Sequence, residues 1–313
     1  MREYTFAMVT YNQEQFVLEH LESIRYQIEN YGKNYSFFFL LCDDCSIDKT
    51  VLIVKKWIDK NSYLFAKTKF VISKKNKGIV NNYLQCLRNI ETNEFKILAG
   101  DDLYYKNNIF KYTQNRDVVL SPVISIPSIN IEEKFYWTYK FAVLKERDLR
   151  KNFEKLIKYV HPVQTPGVFW KKKFYSVELE KKLEQYIWIE DTPLWEYLFS
   201  IKSLKVYFEK TPLVMYRESV GISNNSKHAF FKAFREEQIR IDKCIHIYKR
   251  CSMVNPYKYK YFIMKILYGY IVPHFSNRYR QLVKMYNNEK AEAVEYFNLI
   301  KKRGADNVDV LKQ

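Results

Sequence analysis

The sequence predicts an α/β protein built on a mostly parallel sheet, followed by a C-terminal helical region. Three observations predict it. Short apolar runs alternate with segments of helical spacing over residues 4–98, in the order βαβαβαβ. Gly (7) and Pro (8) are scarce in 313 residues, which argues against disorder and against an all-β chain full of tight turns. Beyond about residue 227 the strand signals stop, and basic, aromatic, helix-prone sequence takes over.

In order, residues 4–10 form an apolar strand and Tyr11-Asn12-Gln13-Glu14 a turn. Residues 16–28 are helical, with Phe16, Leu18, Leu21, Ile24 and Ile28 on one side. The run 35–42 (YSFFFLLC) is apolar throughout, as expected of a strand covered on both faces, and it ends in Asp43-Asp44. A helix over 51–58, a short strand at 70–72, a basic loop at 74–78 and a helix over 79–90 follow. Lys96-Ile97-Leu98-Ala99 then runs into Gly100-Asp101-Asp102, a buried strand delivering two carboxylates to its C-terminal end. A second unit begins near Val118, with extended segments at 118–120 and 122–127 and a helix over 149–159. A loop from His161 enters a strand near Val168, a helix covers 187–200, and short strands lie at 206–208 and 213–216. The expected domains are 1–226, in halves 1–117 and 118–226, and a helical region 227–313.

A net charge of +17 implies an anionic partner: nucleotide, nucleic acid, anionic lipid or acidic glycan. The 27 Tyr and 22 Phe, interleaved with Lys258, Lys260 and Lys265 near the C-terminal end, suit a membrane surface. They equally suit a small core or a homodimer interface with solvated lysines. No apolar run of about 18 residues predicts a membrane-spanning helix. Residues 1–9 lead straight into a strand, without the pattern of a signal peptide. Five cysteines, an odd number, fit reduced thiols, so the expected location is the cytoplasm. Cys42 and Cys45 have C-x-x-C spacing but no second pair follows, so neither zinc nor redox chemistry is expected of them.

In a parallel sheet the strand ends at Thr10-Tyr11-Asn12, Asp43-Asp44 and Asp101-Asp102 converge on one crevice. A carboxylate there can accept an imide N–H or a ribose hydroxyl, and another can hold a hard divalent cation against a phosphate. The competing reading of Gly100-Asp101-Asp102 is an acidic turn that caps a helix. Neither G-x-G-x-x-G nor a P-loop is present, which excludes dinucleotide and P-loop sites.

With Gln27, the run Asp43-Asp44-Cys45-Ser46-Ile47-Asp48-Lys49-Thr50, Asn76-Lys77-Gly78, Asn82 and Glu190-Asp191, this ordered set resembles a family 2 glycosyltransferase of the GT-A fold over roughly residues 4–220. The resemblance implies an inverting transfer of a sugar, hexosyl in type, from a nucleotide-sugar, in the first place UDP-linked, to a glycan or lipid-linked acceptor. It implies bacterial capsule, lipopolysaccharide or envelope synthesis, at the inner face of the plasma membrane. Thr10, Tyr11, Asn12 and Asp44 would hold the nucleobase with Asp43 beside them, and Gly78 would lie in the donor site. Asp101 would approach the ribose or sugar, and Asp102 would ligate Mn²⁺ or Mg²⁺. Asp191 would be the general base, with Glu190 next to it. Arg217 would reach the diphosphate, and His161 would line the acceptor side.

Two positions depart from the family pattern: Ala99 stands at the first aspartate of D-x-D, and Cys45 where glycine is usual. Local alternatives stay open. Asp48 and Thr50 can simply cap the next helix, Glu190 can be a solvated helix residue, and Asp191 can cap Thr192-Pro193. His161 can be a plain loop residue, and Arg217 can pair with Glu218 or another acid. Two other classes compete: a non-catalytic nucleotide-sugar binder, and a nucleic-acid binder. The latter is disfavoured because strand-end carboxylates repel phosphates, so no nucleic-acid partner is expected.

Overall fold

The computed structural model describes residues 1–127, 165–209, 211–218, 220–221, 229–245 and 277–312. His161, the helix expected over 149–159 and the basic-aromatic stretch 257–275 lie outside the described residues.

The N-terminal part is the expected alternation: β1 (Arg2–Thr10), α1 (Val17–Tyr31), β2 (Tyr35–Asp43), α2 (Thr50–Lys60), β3 (Lys67–Ile72), α3 (Ile79–Asn89) and β4 (Glu94–Ala99). Its four strands pair in the order β3-β2-β1-β4, all parallel. Side chains alternate across the sheet, so Tyr4, Phe6, Met8, Phe37, Phe39 and Leu41 pack with α1 and α2 on one face. Ala7, Leu40, Cys42, Phe95 and Ile97 meet α3 on the other. The unbroken apolar run of β2 is therefore buried on both sides. β3 forms one edge of the sheet, and its exposed Lys67 and Lys69 discourage a further strand from pairing there.

Beyond β4 the chain builds two small mixed sheets. β5 (Leu103–Tyr104) and α4 (Ile109–Thr113) precede β6 (Val118–Leu120) and β7 (Val123–Ile126). After β8 (Val168–Trp170) come α5 (Val177–Leu183), α6 (Asp191–Ser200), β9 (Val206–Phe208) and β10 (Val214–Arg217). One sheet runs β5-β10-β7 and the other β8-β6-β9. A single antiparallel bridge, Glu94 with Lys171, joins β4 to the end of β8, reinforced by their ion pair at 2.6 Å.

α7 (Phe231–Ile245) and the 36-residue α8 (Asn277–Lys312) complete the described chain. α8 closes a third core cluster: Ala293, Tyr296, Phe297 and Ile300 cover Leu103, Tyr105, Ile124, Ile126 and Met215. Asn307 donates to Glu22 on α1 at 2.9 Å. This part of the C-terminal region packs on the rest of the fold. Gln27, near the end of α1, is fully buried, and its side-chain amide donates to the carbonyls of Tyr105 and Asn107 and accepts from Ile109 N. It ties α1 to the loop that carries the chain away from β5.

Candidate active site

The strand register sets Thr10 beside Asp43, Asp43 beside Ile72 and Val9 beside Ala99, so the predicted residues share one end of the sheet. Asp43 is fully buried and accepts three hydrogen bonds. It accepts from Thr10 Oγ1 (2.7 Å) and from Ser46 N and Oγ (2.8 and 2.5 Å). Its carboxylate locks the β2 loop onto β1. Asn12, at φ 51°, closes the same loop, donating its N–H to Ser46 Oγ and accepting from Ile47 N. Cys45 sits at φ 67°, the left-handed conformation that glycine adopts freely. The turn survives the cysteine, at a backbone cost of about 1 kcal/mol. Asp48 accepts from Thr50 N and Glu14 N, and Thr50 Oγ1 accepts from Gln13 N. Asp48 thus holds the first N–H of α2, and both residues clamp the loop after β1 to the start of that helix. Tyr11 is half-buried beside this loop.

Asp44 is also buried, and its carboxylate accepts the N–H groups of Lys77 (2.9 and 3.1 Å) and Gly78 (2.8 Å) at the start of α3. Burial raises its pKa against the opposing pull of those two N–H groups. Gly78 has φ +92°, and a Cβ there would lie 2.6 Å from Ile187 Cγ2 and 2.7 Å from Ile187 O. Only glycine lets the loop before α3 approach the segment that leads into Glu190-Asp191. Lys74, Lys75 and Lys77 are exposed, a solvated charge run.

The acid pair follows Gly100, where a Cβ would meet Gln13, Met8 and Thr10 at under 3 Å. Asp101 and Asp102 are both buried. Burial raises both pKa values, Asp102 well above the carboxylate range, and the Asp101 charge pushes Asp102 further. Arg217 at the end of β10 answers them: its backbone N–H donates to Asp102 Oδ1 (2.8 Å) and its Nε to the Asp101 carbonyl (2.9 Å). The Arg217 guanidinium also pairs with Glu19 and lies over the rings of Phe16 (4.5 Å) and Phe297 (5.8 Å). The "other acid" for Arg217 is thus Glu19 on α1, and its guanidinium is engaged in holding the acid pair. Beneath the pair, buried His20 donates from Nδ1 to the Asp102 carbonyl (2.7 Å), and desolvation lowers its pKa to about 4.

The expected helix over 187–200 starts later, at Asp191, with Glu190 in the N-cap position. Asp191 is the first helical residue, not the cap, and its Oδ1 accepts from Thr192 N and Oγ1. Burial, then the Asp191 charge, raises the Glu190 pKa to about 8. Lys96 is buried on β4, donates to the carbonyls of Thr165 (3.1 Å) and Val168 (2.7 Å), and has its pKa lowered by desolvation to about 7. Its ammonium acts on both Asp102 and Glu190, so the acid pair and the Glu190-Asp191 segment lie within charge–charge range of one cation.

Three contributors escaped the sequence reading. Lys96 carried a signal, a lone charge inside an apolar strand. Glu19 and Glu237, which accepts the N–H groups of Ile187, Trp188 and Ile189 just before Glu190, carried none, since their partners lie far away in sequence. Among the described residues no group of three or more His, Cys, Asp or Glu forms a metal cage. Mg²⁺ and Mn²⁺ on a nucleotide need only one or two carboxylates, the remaining ligands being phosphate oxygens and water. The buried, mutually repelling Asp101 and Asp102 fit that donor set.

Glu190 gives a pH prediction. Its folded pKa is raised, so between about pH 4.5 and 8 the folded state holds more protons and stability falls as pH rises. The lowered pKa of Lys96 acts in the opposite sense, and only above about pH 7. Between pH 5 and 7 the wild type is therefore expected to lose about 1 kcal/mol relative to E190Q, a value reduced by the partial exposure of Glu190. Thermal unfolding of both proteins across that range checks it, and parallel curves would refute it.

The profile of the family described as Glycosyl transferase family 2 matches residues 5–182. The chain belongs to that family and is a glycosyltransferase. No curated protein sequence matches it. Among solved structures it is similar to S. aureus TarS 1-349 in complex with UDP-GlcNAc, at 14% identity and a TM-score of 0.51, over 99% of this chain and 90% of that one. It is also similar to the mannosyltransferase PcManGT from Pyrobaculum calidifontis in complex with GDP-Man and Mn²⁺, at 15% identity and a TM-score of 0.46, over 97% and 80%. The first likeness shows a GT-A fold, as the sequence resemblance implied.

Proposed function

We propose that the protein transfers one sugar, with inversion, from a nucleotide-sugar to a hydroxyl of a glycan or lipid-linked acceptor. The observation that carries this reading is the gathering of Asp44, Asp101-Asp102 and Glu190-Asp191 at one end of the parallel sheet. Asp44 keeps spare acceptor capacity at Oδ1 for a uracil imide N–H, while Thr10, Tyr11 and Asn12 border the base. Asp43 holds their loop, Gly78 lets the start of α3 pack against Ile187 ahead of the Glu190-Asp191 pair, and Asp101 faces the ribose or sugar. Mn²⁺ or Mg²⁺, held by Asp102, would supply charge to offset that of the diphosphate.

Asp191 removes the acceptor hydroxyl proton as its oxygen attacks the anomeric carbon. A carbon–oxygen bond forms, the bond from that carbon to the diphosphate oxygen breaks, and the nucleoside diphosphate leaves with the electron pair. Glu190, protonated near neutral pH, donates a hydrogen bond beside the base without competing for the proton. Arg217 holds the acid pair through its backbone N–H and Nε, and its guanidinium would answer the charge of the diphosphate.

UDP is the first donor to test, since the TarS neighbour is a complex with UDP-GlcNAc. The setting we propose is bacterial capsule, lipopolysaccharide or envelope synthesis, with the protein on the inner face of the plasma membrane. The charge of +17 and the basic-aromatic stretch 257–275 support docking on anionic headgroups; the same stretch can serve a homodimer instead. Among the described residues no helix is long and apolar enough to cross a membrane.

The test is release of free nucleotide from UDP-, GDP-, dTDP- and CMP-sugars with Mn²⁺, beside nucleotide-induced thermal stabilisation. Metal-dependent release from one donor is the expected result. Neither release nor stabilisation with any nucleotide would sink the donor-site reading.

A further inference from the structure

Residues 187–189 lie in an irregular segment just before the Glu190-Asp191 pair, and irregular backbone inside a protein must find partners for its N–H groups. All three N–H groups here converge on one carboxylate from a distant part of the chain. Glu237 on α7 accepts from Ile187 N at Oε2 (2.9 Å) and from Trp188 N (2.8 Å) and Ile189 N (2.9 Å) at Oε1. Its side chain is 6% exposed. Charge-assisted bonds of this kind are about twice as strong as neutral ones. Further contacts from the same region reinforce the grip: Phe230 stacks on Trp188 at 4.8 Å, and Arg240 donates to the Gln185 carbonyl and lies over Tyr186. From the other side, Val80 N donates to the Ile187 carbonyl (3.0 Å), and Gly78 packs against Ile187.

We propose that Glu237 is the positioning residue for the Glu190-Asp191 segment, fixing the general base relative to the donor site by gathering the three N–H groups that precede it. It touches no substrate. It acts by holding the backbone that enters α6, while Gly78 and Val80 hold the same backbone to the donor-side loop. The proposal rests on the assignment of Asp191 as base. A misplacement of about 1 Å at such a group can cost about 10²-fold in rate, so an anchor of this strength matters to turnover as well as to folding.

The test uses the full chain as wild type, E237Q, E237D and D191N. Gln has the shape of Glu but turns an NH₂ donor toward N–H donors, whereas Asp keeps the charge at shorter reach. Three quantities are read: hydrogen exchange at the amides of 187–189, affinity for UDP with Mn²⁺, and nucleotide release from the UDP-, GDP-, dTDP- and CMP-sugar panel. In E237Q the amides are expected to exchange at least about tenfold faster. Release at saturating donor should fall about 10²-fold with UDP affinity held within about twofold. E237D should recover part of both losses. Exchange at the wild-type rate, or a loss of turnover matched by a loss of UDP affinity, would overturn the proposal. If E237Q does not fold, E237D decides on the same readouts. Full activity in D191N would sink the base assignment, whereas an inactive D191N beside a fully active E237Q would sink the role of Glu237 alone.

Discussion

The substitution D191N is expected to slow sugar transfer by about 10³-fold at saturating donor, within the range that general-base catalysis contributes. Asn has the same shape, and its amide oxygen can still accept from Thr192 N and Oγ1, the two bonds that Asp191 makes at Oδ1. The start of α6 should therefore persist, with unfolding temperature and affinity for UDP with Mn²⁺ close to those of the wild type. What disappears is the lone pair basic enough to take the acceptor proton. Steady-state nucleotide release in the presence of acceptor, measured beside donor affinity, separates the two effects. Unchanged turnover would remove Asp191 from the chemistry, and loss of donor binding would reassign it to the donor site.

The second large effect is expected of D102N, and it runs in two directions. Activity should fall about 10³-fold, and the gain in UDP affinity on adding Mn²⁺ should vanish, because an amide oxygen is a poor substitute for a carboxylate ligand. Without metal, however, the variant should be the more stable protein. Burial and the adjacent Asp101 charge both disfavour the Asp102 carboxylate, whereas Asn still accepts from Arg217 N and carries no charge to bury. A gain of about 1 kcal/mol, or about 2 °C in unfolding temperature, is expected in metal-free buffer. Added Mn²⁺ with UDP should stabilise the wild type and leave D102N unmoved. A variant that is less stable without metal would mean that Arg217 and Lys96 already compensate the charge in full.

Residues 1–99 were readable from the sequence because their signals are local. The apolar run of β2, the helical spacing of α1 and the Asp pairs at strand ends each lie within one window. The failures are equally physical. β5 spans two residues and α4 five, too short for any period to show. Trp188 and Glu190 have helical spacing with the residues that follow, but the Ile187 carbonyl accepts from Val80 N on a remote segment, and the helix begins only at Asp191. Arg217 can reach a diphosphate or pair with an acid as far as the sequence shows, and the acid it meets, Glu19, stands 198 residues away, where no local signal points to it. Lys96 was absorbed into an apolar run, and only the three-dimensional placement of Thr165, Val168 and Glu190 explains a buried ammonium there. Residues that form the strand ends were legible; those that hold them in place come from remote segments and were not.

The way α8 covers β5, β7 and β10 has a consequence for biosynthesis. The four-stranded sheet closes from the first hundred residues alone, so it can form while the chain is still being made. Among the described residues, the surface formed by Leu103, Tyr105, Ile124, Ile126 and Met215 takes its cover from residues 293–300, which are synthesised long after it. Through Phe297, which lies over the Arg217 guanidinium, the acid pair also receives support from α8. An emerging chain thus passes through an interval with its parallel sheet complete, an apolar flank open to chaperones, and its acid pair without the support of α8.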